Sequence, residues 1–143
     1  MEYKKKYVPD SLSKSDKEKQ KKAIEKSKKQ YKETGKVETR PKLKSFKSKE
    51  STYTQRINKK LGEKMTPKEI AEKIAKNDTH KRMLIKAFQE IIKKGKAAYA
   101  SSGSRPNQSP TSWGRARLYS VLLNGPARKI DKNIVEKYDV PKL

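Results

Sequence analysis

A catalyst needs a nucleophile, a base or a set of metal ligands placed together, and this chain of 143 residues offers few of them. It has no cysteine, which rules out a disulfide scaffold and a zinc-thiolate site. Its single histidine, His80, falls in the first turn after Asp78 beside Lys81 and Arg82, and reads as a surface or capping residue. No His-Glu-x-x-His or Gly-x-Ser-x-Gly pattern occurs, and Glu25, Glu33 and Glu38 lie scattered among lysines as solvated ion pairs. The stretch SSGSRP resembles a phosphate-cradling loop only superficially, because no Walker lysine follows it and no strand precedes it. The expectation is a protein that is not an enzyme, with no metal, no cofactor and no small-molecule substrate.

The chemistry that remains is cationic. Lys and Arg number 39 against 16 Asp and Glu, a formal charge of +23, which attracts phosphates, acidic protein surfaces or anionic lipid without choosing among them. Residues 1–60 hold 21 basic and 8 acidic residues and the rest hold 18 and 8, so both halves carry the charge. The lysine runs at Lys4–Lys6, Lys21-Lys22, Lys28-Lys29, Lys59-Lys60 and Lys93-Lys94 are of low specificity.

The arginines are more informative. Pro106 fixes the backbone beside Arg105, whose planar guanidinium can fork to a carboxylate or phosphate or stack on an aromatic face; it could equally pair internally with a helix C-terminus. Arg115 and Arg117 point about 200° apart on a helix, so one is expected to be buried and the other solvated. Arg128, Lys129 and Lys132 follow a helix stop, where carbonyl groups favour positive charge; that use explains one of them and not three. No helix gathers Arg, Asn and Gln as sequence-specific readout of a groove would need.

Helices must position these groups. Ser109 and Pro110 open one over Pro110 to Leu123, where Ala116, Leu118, Val121 and Leu122 recur at helical spacing; Asn124-Gly125-Pro126 ends it, with Gly supplying a left-handed residue. Ala97, Tyr99, Trp113, Tyr119, Leu122 and Met83 are expected in one core. Upstream, Tyr53, Ile57 and Leu61 mark a short helix closed by Gly62, and Thr66-Pro67-Lys68-Glu69 is a capping box that opens another. Asp78 is the expected cap of the next helix, whose stripe Met83, Leu84, Ala87, Phe88, Ile91 and Ile92 is the most amphipathic in the chain and whose end is expected at Gly95 or Tyr99. Ile130 and Val135 fit a hydrophobic staple around an Asp131 cap, giving a last helix to about Tyr138.

Ser11 or Ser13 can cap a helix from about Lys14 to Glu33, but Leu12, Ala23, Ile24 and Tyr31 give it little to bury, so it is expected to become ordered on a partner. Residues 36–50, with Pro41 and alternating lysines, read as an extended arm with Leu43 and Phe46 as anchors. Only 31% of residues are hydrophobic and 38% are charged, too poor a balance for a core along the whole length. The expected fold is therefore all-α: a small helical bundle over about residues 51–138, preceded by an extended or partly helical basic N-terminal arm. The domain division is 1–50 and 51–143. No apolar run approaches the roughly 20 residues of a membrane span, and the lysine-rich start lacks the apolar block of a signal peptide.

The segments GKAAY, SGSRPNQSP and SWGRARLYSVLLNGPARKID, with YVPDSLSKSDKEKQKKAIEKSKKQY and TRPKLKSFKSK before them, resemble a domain family of unknown function found in proteins of large DNA viruses of eukaryotes, of the giant and algal virus type. The resemblance covers most of the chain and implies a setting, the virion or viral factory, but no chemistry. Joined to the residues, it leads to an expected structural role as a minor capsid or cement-type protein located in the virion and made in the host cytoplasm or nucleus. The expected partner contacts are the spaced anchors Tyr31, Leu43, Phe46 and Tyr53 and the cations Arg105, Arg115, Arg117, Arg128 and Lys129, facing acidic surfaces of viral capsid proteins. The alternative is a non-specific nucleic-acid-binding or genome-packaging protein of the virion core, drawn to phosphate by charge alone. An anionic membrane surface is a third partner class, for which the N-terminal helix has too thin an apolar face.

Overall fold

The computed structural model describes residues 6–47 and 52–143. These form seven helices and no strand: α1 (Lys14–Thr34), α2 (Thr52–Leu61), α3 (Pro67–Ile74), α4 (Asp78–Ser102), α5 (Pro110–Leu122), α6 (Pro126–Ile130) and α7 (Lys132–Tyr138). The all-helical expectation holds among the described residues. Tyr3, Lys4, Lys5, residues 48–50 and Ser51 lie outside them.

Two compact units form, and they do not follow chain order. One takes residues 1–49 and 95–113; the other takes residues 50–94 and 114–143. Residues 95–113, grouped by sequence with the helical domain, thus belong with the N-terminal segment. The hydrogen bonds described below supply the reason, since the loop after α4 is tied to residues far back in the chain.

The larger apolar cluster belongs to the second unit. It joins Ile57 and Leu61 of α2, Ile70 and Ala71 of α3, Leu84, Phe88 and Ile91 of α4, Leu118, Val121 and Leu122 of α5, and Ile134 and Tyr138 of α7. Burial of a side chain such as Phe88 contributes about 2–3 kcal/mol. Gly114 allows α5 to lie against α4 here, because a Cβ at that position would come within 2.7 Å of the Ile92 carbonyl oxygen. The Thr66 capping box forms as expected, with Glu69 N–H donating to the Thr66 hydroxyl at 3.3 Å and Thr66 N–H to the Glu69 carboxylate at 3.0 Å.

Four local expectations are corrected in this unit. The side chain that caps α4 is Asn77, which accepts from His80 N–H at 2.8 Å, so the cap lies one residue before Asp78. Asn124, at φ 58°, supplies the left-handed residue after α5. Gly125 is extended there (φ −82°), and a Cβ on it would meet the Ser120 hydroxyl at 2.6 Å and the Tyr53 hydroxyl at 2.9 Å. Pro126 then starts a five-residue helix where only a stop was expected. His80 is buried rather than superficial: Nδ1 accepts from Lys76 N–H at 3.0 Å, which leaves Nε2–H to donate to the Asp139 carbonyl at 2.8 Å.

The first unit is built differently. Ser13 caps α1 by accepting from Asp16 N–H at 3.1 Å, and Gly35 (φ 71°) ends it by donating to the Tyr31 carbonyl at 2.8 Å. The buried residues of α1 are Asp16, Gln20 and Ile24, one face in which a single aliphatic side chain follows two polar ones. Around them Tyr7, Leu12, Leu43, Tyr99 and Ala100 are buried with Arg40 and Ser104. The six residues expected in one core are therefore divided: Ala97, Tyr99 and Trp113 fall in this unit, and Met83, Tyr119 and Leu122 in the other.

Candidate functional site

The loop between α4 and α5 has few residues of its own to bury, so it must be held by polar contacts, and nearly every residue in it is. Gly103 turns at φ 104°, a backbone conformation that side chains disfavour, and a Cβ there would press to 3.3 Å on both Ile24 and Tyr7. Gln20 of α1 donates through Nε2 to the Ser104 carbonyl at 3.2 Å and to the Tyr7 carbonyl at 3.0 Å. Asn107, left-handed at φ 61°, accepts from Leu43 N–H at 2.7 Å, and its amide donates to the carbonyls of Leu43 at 3.2 Å and Phe46 at 3.3 Å. The Tyr99 hydroxyl donates to the Gln108 carbonyl at 3.2 Å.

Arg40 is the centre of this arrangement. Its backbone N–H donates to the Tyr99 hydroxyl at 2.8 Å, Nη1 donates to the Tyr99 carbonyl at 2.9 Å and the Ser27 hydroxyl at 3.0 Å, and Nη2 donates to the Ser104 hydroxyl. The guanidinium carbon lies 3.7 Å from the centroid of the Tyr99 ring. Arg40 is 7% exposed, and burial pulls its pKa below the usual arginine range. Among the described residues all its hydrogen-bond partners are neutral, and no carboxylate pairs with it. A lysine could not serve three acceptors in a plane and stack as well.

The far end of the segment is fixed by Asp16, whose carboxylate accepts from Ser45 N–H at 2.9 Å and from the Ser45 hydroxyl. These two bonds hold the Asp16 pKa below its ordinary value of 3.8.

Arg105 is the exception in the loop. Its neighbours Ser104 and Asn107 are clamped, and the Ser104 hydroxyl donates to its carbonyl at 3.0 Å, yet its side chain is exposed and makes no hydrogen bond or ion pair with any described residue. Burial pushes the Tyr7 phenol upward in pKa, and the charges of Arg105 and Arg40 oppose that shift. The Trp113 ring meets the Tyr7 ring edge-on at 6.1 Å. The arrangement can present one planar cation, without a counter-charge, from a loop whose backbone cannot easily yield.

Of the other residues expected to contact partners, Leu43 is buried and Phe46 half-buried, both tied to the loop by Asn107. Tyr31 is half-buried on the last turn of α1. In the second unit, Tyr53 packs at the edge of the apolar cluster. Arg117 donates to both oxygens of Asp131, at 2.8 and 2.7 Å, and Arg128 donates to the carbonyls of Val121, Val140 and Pro141 at 3.0, 2.6 and 3.3 Å. Arg115 and Lys129 are exposed. The structure ties the backbones of Leu43 and Phe46 to Asn107, in the loop that carries Arg105, and gives Arg117 and Arg128 work inside their own unit.

The chain belongs to the family of unknown function DUF5824, which it matches over residues 4–137. That match takes in segments of both units, and with them the Arg40 clamp and the Arg105 loop. No curated protein and no solved structure matches the chain.

Arg40, Gln20 and Asn107 were not singled out by sequence. One signal was available: Arg40 is the only arginine in the first 55 residues, in a stretch that otherwise uses lysine at every cationic position. Where a solvated charge suffices either residue serves; a lone arginine marks a need for the planar fork.

Proposed function

We propose that the chain is a non-catalytic structural protein of a large DNA-virus particle, a minor capsid or cement-type component that docks on other virion proteins through the Arg105 face of its first unit. The viral setting rests on the resemblance of its sequence segments to proteins of such viruses. The observation that carries the docking role is Arg105, exposed and unpaired on a loop that Arg40, Gln20 and Asn107 hold in place. Polar groups spent on ordering a surface loop make sense where the loop must meet a partner in one geometry. Buried His80, with both ring nitrogens in hydrogen bonds, has no free base to offer a reaction. Charge supports the partner class: the first unit carries 20 Lys and Arg against 7 Asp and Glu, which suits an acidic surface.

Separation of purified particles into shell, membrane and genome fractions tests this reading. The protein is expected with the shell; recovery with the genome, reversed by salt, contradicts it.

One feature favours a second reading, binding to nucleic acid. Lys22, Lys26 and Lys29 share the exposed face of α1, and none forms an ion pair among the described residues, whereas Lys21 and Lys28 lie near Glu18 and Glu25. Such a row suits phosphate contact of low specificity, with affinity that falls steeply as salt rises.

A further inference from the structure

We infer that α1 and the segment tied along it form one surface that tracks the phosphate backbone of duplex nucleic acid, with Lys19, Lys22, Lys26 and Lys29 on the helix and Lys42 and Lys44 on the segment. The inference rests on the second, nucleic-acid reading above and adds to it the place and shape of the site.

The two elements run antiparallel. Arg40 donates to the Ser27 hydroxyl at 3.0 Å; Ser45, further along the segment, donates through its N–H to Asp16 at 2.9 Å and accepts from Ser13 N–H at 3.0 Å. From Asp16 to Ser27 a helix rises about 16–17 Å, and from Arg40 to Ser45 an extended chain covers about the same length, so the segment lies along the helix between its two ties. Leu43 is buried while Lys42 and Lys44 beside it are exposed, so both lysines stand on the outer side of the segment.

The same ties define a flank of α1. Asp16 and Ser27 lie to one side of Gln20, and Ile24, on which Gly103 packs, lies to the other. Lys19 and Lys26 fall on the side of Asp16 and Ser27, and with Lys22 and Lys29 they form a row within about 80° of the helix circumference. All four are exposed, and none forms an ion pair among the described residues. Glu18 and Glu25 are turned to the other flank, 3.9 Å from Lys21 and 3.8 Å from Lys28.

This arrangement selects the class of partner. The row from Lys19 to Lys29 spans about 15 Å, a length of axis over which one strand of a duplex presents about four phosphates. Both rows use lysine, a point charge that meets a phosphate at any angle and is depleted from protein–protein interfaces. A lipid surface would need apolar residues beside the cations, and among the described residues the exposed large apolar side chain is Ile130, in the other unit.

The full chain is titrated with a fluorescein-labelled duplex oligonucleotide across a salt series, following anisotropy. One variant carries Lys22→Gln, Lys26→Gln, Lys29→Gln, Lys42→Gln and Lys44→Gln. A second, of equal net charge, carries Lys59→Gln, Lys60→Gln, Lys68→Gln, Lys86→Gln and Lys93→Gln, all exposed in the other unit. The first is expected to bind about tenfold or more weakly and with a flatter salt dependence, and the second to stay within about threefold of the parent. Equal losses in the two overturn the inference and leave the nucleic-acid reading standing, because charge then acts without a site. Absence of duplex binding by the parent overturns both. In a parallel titration with an acetylated oligoglutamate peptide, a greater loss for peptide than for duplex in the first variant makes the flank a protein-docking surface and also overturns the inference. Acetylation footprinting of the parent chain guards against an effect of folding: duplex should protect Lys22, Lys26, Lys29, Lys42 and Lys44 above Lys59, Lys68 and Lys93, and uniform protection contradicts the site.

Discussion

Arg117 and Asp131 form a two-pronged ion pair, Nε to Oδ2 at 2.8 Å and Nη2 to Oδ1 at 2.7 Å, with the Asp131 side chain wholly shielded from water. Lys94 approaches the same carboxylate at 3.7 Å. The pair joins α5 to the junction between α6 and α7, and it explains why Asp131 does not cap α7 with its side chain. Replacing Arg117 by Leu leaves a buried carboxylate with only the half-exposed Lys94 ammonium at 3.7 Å and no fork, and should cost about 3 kcal/mol. Urea unfolding measures it, and the double variant Arg117→Leu, Asp131→Leu should recover much of the loss.

Arg40→Lys keeps the charge and loses the stack on Tyr99 and the fork to Tyr99, Ser27 and Ser104. The expected cost is about 2 kcal/mol. Hydrogen exchange should localise it, with faster exchange at residues 103–108 and little change in α2, α3 and α7. Uniform exchange across the chain would mean that Arg40 does not order the loop.

Asp16 makes stability depend on acid. Bonds from the Ser45 hydroxyl and N–H depress its folded pKa, so its contribution is fully present above the unfolded value, near 3.8, and is lost as pH falls through the lower folded value. Ser45→Ala removes the larger cause. The Asp16 pKa, read by carboxyl NMR titration, should rise toward 3.8, and acid unfolding should begin at higher pH.

Gly114→Ala puts a methyl group 2.7 Å from the Ile92 carbonyl oxygen and 2.8 Å from Ile92 Cγ2. Backbone must move to admit it. A loss of about 1–3 kcal/mol is expected in thermal or urea unfolding.

Signals confined to a few neighbouring residues were legible in the sequence. The Ser13 cap, the Gly62 stop, the Thr66 capping box and the start of α5 at Pro110 all follow from residues acting on backbone within about one turn. Where two adjacent residues compete, the observed residue lies one position before the expected one, Asn77 for Asp78 and Asn124 for Gly125. Gly125 reads as a left-handed glycine until Ser120 and Tyr53 are seen to leave no space for a Cβ. Asp131 reads as a cap until Arg117, fourteen residues earlier, claims its carboxylate. The Arg40 clamp joins residues 59 to 64 positions apart, beyond anything that helical periodicity reports. The division of Tyr99 and Trp113 from Tyr119 and Leu122 escaped for the same reason.

The proposed role has this chain docking on virion proteins through the face around Arg105. Cross-linking mass spectrometry on intact particles tests it most directly, because the exposed lysines Lys42, Lys44 and Lys47 lie on the segment that Asn107 binds to the loop. Links from these lysines into acidic segments of shell proteins are expected. Links confined to core proteins, together with sedimentation on viral DNA that salt abolishes, would contradict it.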